Sequence, residues 1–123
     1  MRAIMYPPPS REIISQLAHS ALVLVSHGQY VFHLTFENGN RLSVSAPFRY
    51  GARRDLANLP ICDFPLSKSR IVCSLGCSVC GIQCNDDGTL EIEFDNSDVL
   101  IVYANDPAYE AYTLLVNGQE YVV

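Results

Sequence analysis

The chain lacks most of the features that assign a function quickly. No apolar run approaches the ~18 residues of a membrane-spanning helix. Met1-Arg2-Ala3-Ile4-Met5-Tyr6 meets Pro7-Pro8-Pro9 without the apolar stretch of a signal peptide, so a cytoplasmic location is expected. No Gly-rich phosphate loop follows a strand pattern, and no Ser or Cys stands in a nucleophile elbow. The acids nowhere form the Asp-x-Asp-x-Asp-Gly loop of a calcium hand. With 17% charged and 49% hydrophobic residues, disorder is excluded. These absences predict a non-enzymatic, cofactor-free chain.

Residues 84–123 lack lysine and arginine altogether while holding nine acids, a balance of −9. Residues 1–83 carry all eight basic residues against Glu12, Glu37, Asp55 and Asp63, a balance of +4. Such asymmetry makes the molecule a dipole if the two parts occupy different surfaces. An acidic surface of this kind predicts docking on a basic protein and argues against nucleic acid. The residues expected to meet that partner are Glu91, Glu93, Asp95, Asp86, Asp87 and Asp98. The plainer reading is ordinary solvation of one sheet face.

Against these absences stands an internal repeat. Residues 11–45 laid over 69–103 match without a gap at an offset of 58, with seven of 35 pairs identical. Ile13 meets Ile71, Leu17 meets Leu75, Phe36 meets Phe94, Asn38 meets Asn96, Leu42 meets Leu100 and Val44 meets Val102. Each copy reads as a short helix and three strands. Ser10 caps a first helix carrying Ile13, Ile14 and Leu17, and Ser67 a second carrying Ile71, Val72 and Leu75, with Gly76 at its end. Strands are expected over 21–26, 30–36 and from Leu42 onward, and again over 79–84, around Leu90-x-Ile92-x-Phe94, and from Leu100. The turns are Glu37-Asn38-Gly39-Asn40 and Asp95-Asn96-Ser97-Asp98.

The predicted fold is α+β and mostly antiparallel. It comprises a single domain of two pseudo-symmetric αβββ units, 11–45 and 67–103, plus a C-terminal hairpin over 111–123 about Asn117-Gly118. The connection, 46–66, is longer than most and holds Arg49, Arg53 and Arg54, a candidate grip for an anionic ligand. Each unit alone has too few strands to be stable, so both are expected to share one core. Whether their sheets join edge to edge or stack is open at this level.

Cys62, Cys73, Cys77, Cys80 and Cys84 are an odd set that favours free thiols over disulfides. Zinc sites usually bring two knuckles together from separated places. Cys73, Cys77, Cys80 and Cys84 instead fall along one turn-and-strand run, so no metal is expected, although sequence alone leaves that question open.

Asp87-Gly88-Thr89-Leu90-Glu91-Ile92-Glu93-Phe94-Asp95, Leu100-Ile101-Val102 and Tyr109-Glu110-Ala111-Tyr112 carry a resemblance. Together with Pro47-Phe48 they resemble a family of small, uncharacterised bacterial domains bearing a dG-x-L-x-l-x-f…Y-E-a-W signature, over roughly 17–48 and 75–123. This chain has Tyr112 in place of the tryptophan and Ser97 in place of the second turn glycine. Domains of this kind resemble bacterial toxin-immunity proteins, which implies a protein partner such as a basic toxin. Pairing of exposed strand edges into a homodimer is the expected alternative, with the uncharged Tyr121-Val122-Val123 at the terminal hairpin.

Overall fold

A computed structural model describes residues 10–58, 70–104 and 110–123. Nine strands account for just under half of these residues: β1 Leu22–His27, β2 Phe32–Phe36, β3 Arg41–Val44, β4 Phe48–Ala52, β5 Val79–Cys84, β6 Leu90–Phe94, β7 Asp98–Val102, β8 Tyr112–Val116 and β9 Gln119–Val122. Every strand pairing is antiparallel.

Helix is sparser than the sequence pattern predicts. The first is one turn, α1 (Arg11–Ser15), begun as expected by Ser10, whose Oγ accepts from the Ile13 amide at 3.3 Å. The second is a 3-10 turn, Ile71–Ser74, and the expected cap Ser67 lies outside the described residues. Each buries few apolar positions, too little to propagate a longer helix, and Gly76 closes the second at φ 84°. The molecule is therefore mostly antiparallel sheet.

Two sheets form. One has the order β1-β2-β3-β8-β9, the other β4-β7-β6-β5. Within 46–66, where a connection was expected, Phe48–Ala52 is a strand, followed by a 3-10 turn at Arg53–Asn58. The alternation of Phe48 and Tyr50 was the signal for β4: both are buried, at 0% and 7% exposure. β4 does not stay with β1–β3; it pairs with β7. In return β8 pairs with β3. Each three-strand set is thus extended from the other half of the chain, β1–β3 by the β8–β9 hairpin and β5–β7 by β4.

The registers run in step. Phe32, Val44 and Tyr112 form one cross-strand row, and Leu34, Leu42 and Leu114 the next. In the other sheet the rows are Leu90, Val102 and Phe48, then Ile92, Leu100 and Tyr50. Inward residues of both sheets belong to a single buried cluster, and the Phe32 and Phe48 rings meet edge to face with centroids 4.9 Å apart. Each fully buried side chain of this size contributes about 1.5–3 kcal/mol. The sheets also touch where Ala21 bridges Ser78, just ahead of β1 and β5. Among the described residues no helix is long and apolar enough to cross a membrane.

Candidate protein-docking face

The outward face of the four-stranded sheet is built from two cross-strand rows. Arg49, Ile101, Glu91 and Gln83 form one, and Gly51, Val99, Glu93 and Gly81 the other. Strand period two puts Glu91 and Glu93 outward because Leu90, Ile92 and Phe94 point in. Both glutamates are taken up within the chain. Arg53, just beyond β4, places Nη2 2.7 Å from Glu91 Oε1 and Nε 3.1 Å from Glu93 Oε1. Gln83 Nε2 adds a bond to Glu91 Oε2 at 3.4 Å. To reach β6 from β4 the arginine crosses β7, whose outward Val99 is fully buried. The two glutamates hold the Arg53 guanidinium above its usual range, the Glu91 hydrogen bond foremost.

The other acids separate by environment. Asp86 and Asp87 lie in the β5–β6 turn and are exposed. Asp87 Oδ1 accepts from the Thr89 amide at 2.9 Å, and that bond draws its carboxyl below the usual range. Asp95 is exposed in the β6–β7 turn, at the opposite end of β6. Five strand residues at about 3.3 Å each separate the two ends, so these acids line two rims of the sheet instead of one patch. Asp98 turns inward and accepts from the Tyr50 hydroxyl at 2.7 Å.

The arginines do not converge. Arg53 is committed to the glutamates, and Arg54 is 88% exposed beside its neighbour Asp55 at 3.9 Å. The Arg49 guanidinium lies 5.9 Å from the centre of the Tyr103 ring. Its Nε is buried without a hydrogen-bond partner among the described residues. Two open depressions flank Arg53. The larger, about 670 Å³, reaches Arg54, Asn96 and Asp98, and the smaller, about 250 Å³, reaches Gly81 and Gln83.

Cys73 and Cys80 are exposed, Cys77 and Cys84 half-buried, and all four are free thiols; Cys62 lies outside the described residues. Burial pushes the Cys77 and Cys84 thiols up, away from the thiolate that metals and electrophiles require. Among the described residues no group of three His, Cys, Asp or Glu side chains is placed to hold a metal.

Two features escaped the sequence pattern. One is a buried polar cluster: the Tyr50 hydroxyl meets both Ser74 Oγ and Asp98, and Asn96 Nδ2 donates to Ser74 Oγ at 3.3 Å. The second is an exposed apolar stretch, Val23 at 52% and Leu24 at 53% on edge strand β1, with Val72 at 52% and Leu75 at 44% beside the start of β5. The terminal residues expected to be sticky are instead partly covered, and Val123 is buried and bonded to Tyr112.

No protein-family model, curated protein or solved structure matches the chain.

Proposed function

We propose that the chain is a non-enzymatic protein-binding module of the bacterial cytoplasm, of the immunity or inhibitor type, that docks its acidic rims on a basic partner. The observation that carries this reading is charge placement. Arg53 alone among the described residues returns to neutralise the acidic half, and Asp86, Asp87 and Asp95 keep exposed carboxylates without an ion pair. Burial also drives both Tyr50 and Tyr112 hydroxyls toward their neutral forms, which suits packing over acid–base work. Charge complementarity of this kind raises association rates and makes them salt-dependent. The framework for it is two pseudo-symmetric copies of one unit, which strands and turns recurring 57–58 residues apart support.

The test is capture of the host's partner on the tagged chain at ~50 mM and ~500 mM salt, where screening lengths differ several-fold. A stoichiometric basic protein released by salt is expected. Reversing Glu91 and Glu93 would leave Arg53 among like charges and confound folding with binding. Asp86→Lys with Asp95→Lys is the cleaner variant, expected to slow association about tenfold or more. Unchanged association of that variant with the captured protein sinks this placement of the interface.

A second reading, a homo-oligomer through strand edges, is favoured by β1. It is an edge strand without charge, proline or lysine, and it exposes Val23 and Leu24. A mass that stays monomeric across concentration dismisses it. The anionic-ligand alternative loses support because Arg49 stands apart beside Tyr103, and Arg53, which shares a depression with Arg54, is already paired with Glu91 and Glu93.

A further inference from the structure

Each half of the chain completes the other's sheet through two seams. β3 joins β8 over four paired residues, Arg41 to Leu115 through Val44 to Tyr112. β4 joins β7 over five, Phe48 to Val102 through Ala52 to Asp98. Residues in the same slot of the two seams are Phe48 and Tyr112, paired with Val102 and Val44, which stand 58 residues apart. The two contacts are therefore the same contact made twice, which is how an isologous interface between two subunits is built. Only one peptide connection, through residues 59–69, ties the halves together.

We propose that these seams are a dimerisation interface: two copies of this chain exchange halves, with β4 of one completing β5–β7 of the other and β8 returning to β3. Each lobe would combine β1–β4 of one chain with β5–β9 of its partner. Every seam hydrogen bond and core contact is then remade, so the exchanged dimer and the monomer differ mainly in the connection and in the entropy of association. Because both seams must open before halves can trade, exchange belongs to folding and refolding at high chain concentration. The proposal rests on the strand order and holds whether or not the acidic rims bind a partner.

A disulfide across a seam distinguishes this dimer from one made by strand edges. Ser43 and Thr113 are direct cross-strand partners on β3 and β8, within the reach of a disulfide in an antiparallel pair. The full-length Ser43→Cys/Thr113→Cys variant would be refolded at ~10 µM and ~1 mM, oxidised, and separated by mass; by mass action only the concentrated sample favours dimer. The expected result is a dimer fraction at least tenfold higher in the concentrated sample, running as a covalent dimer on a non-reducing denaturing gel. Wild type and both single variants, run alongside, report linkage through native cysteines. A dimer whose variant disulfide stays within single chains overturns the proposal in favour of edge pairing, and absence of dimer at either concentration overturns it outright. If that variant fails to fold, Arg49→Cys/Ile101→Cys across the β4–β7 seam poses the same question.

Discussion

The turns after β2 and β6 lie 58 residues apart and solve one problem with different residues. In the first, the Asn40 amide donates to Asn38 Oδ1 at 3.0 Å while Asn38 Nδ2 donates to the Gln16 carbonyl at 3.1 Å. In the second, the Asp98 amide donates to Asn96 Oδ1 at 2.9 Å, and Asn96 Nδ2 reaches the Cys73 carbonyl at 3.5 Å and Ser74 Oγ at 3.3 Å. An Asx turn that also ties down the preceding helical turn thus occurs in both halves. The difference is two residues further on. Asn40 donates to the Gln16 carbonyl at 3.3 Å and accepts from the Asn117 amide at 3.1 Å. Asp98 accepts from the Tyr50 hydroxyl. The two positions share one backbone geometry but hold a neutral amide in one turn and a carboxylate in the other, so geometry and chemistry vary separately in this fold.

The largest expected effect comes from forcing that chemistry back across the halves. Asn40→Asp keeps an acceptor for Asn117 but sets a carboxylate against the Gln16 carbonyl at a site only 4% exposed. Removing one of that carbonyl's two donors, with Asn38 Nδ2 left in place, and burying the charge should cost about 1–3 kcal/mol by urea unfolding at pH 7. The penalty should shrink toward pH 4 as the introduced carboxyl takes up a proton. Asp98→Asn retains an acceptor for Tyr50 and should cost under about 1 kcal/mol. Equal costs for the two exchanges would mean the positions are not chemically distinguished.

What was legible in the sequence follows the same division. Local signals carried through: Phe32-x-Leu34-x-Phe36 and Leu90-x-Ile92-x-Phe94 are strands, and Asn38-Gly39 and Asn117-Gly118 are turns, with Gly39 at φ 86°. Pairing between distant strands left no local mark. Leu42 and Leu100 alternate identically whichever strand lies beside them, so the exchange of β4 and β8 was invisible. β4 was hidden because Pro47, Gly51 and three arginines surround its two apolar residues. The acidic surface was legible as composition but not as a site. Nothing near Glu91 or Glu93 in sequence announces that Arg53, 38 residues earlier than Glu91, will occupy them.

The exchanged strands offer a second comparison, intermediate in size. Tyr50 on β4 and Tyr112 on β8 both bury their hydroxyls, and Tyr112 donates to the Gly88 carbonyl at 2.7 Å. Gly88 tolerates this approach at φ 91°, where a Cβ would lie 3.1 Å from Val123 and 3.2 Å from Ala104. Burial raises both phenols above their ordinary value of 10.0. The folded state therefore favours the protonated form, and this contribution is complete below pH ~10 and lost as pH rises beyond it. Each tyrosine should steepen the loss by up to about 1.4 kcal/mol per pH unit. Tyr50→Phe and Tyr112→Phe should each flatten the stability profile between pH 10 and 11. Each should also lower stability at pH 7 by about 1–2 kcal/mol, because Asp98 and Ser74 lose a shared partner in the first and the Gly88 carbonyl loses its donor in the second. If both variants keep the wild-type alkaline slope, these hydroxyls are not sheltered and the seams are looser than their registers imply.

The smallest effect tests the turns where their backbone is most alike. Gly39 and Ser97 occupy the same slot, at φ 86° and 71°, and their amides donate to Phe36 and Phe94 at 2.9 and 3.0 Å. A side chain on Gly39 would meet nothing within 4 Å, so space does not explain the glycine. Left-handed backbone does: a Cβ there costs about 1 kcal/mol. Ser97 bears that strain, and Ser97→Gly should stabilise by about 0.5–1 kcal/mol, a rise of roughly 2–5 °C in Tm for a chain of this size. Gly39→Ser should lower Tm by a similar amount. Opposite shifts of equal size would place the preference in the backbone, shared by both halves. Shifts of the same sign would place it in what the Ser97 side chain touches, and the likeness of the two turns would then extend no further than their hydrogen bonds.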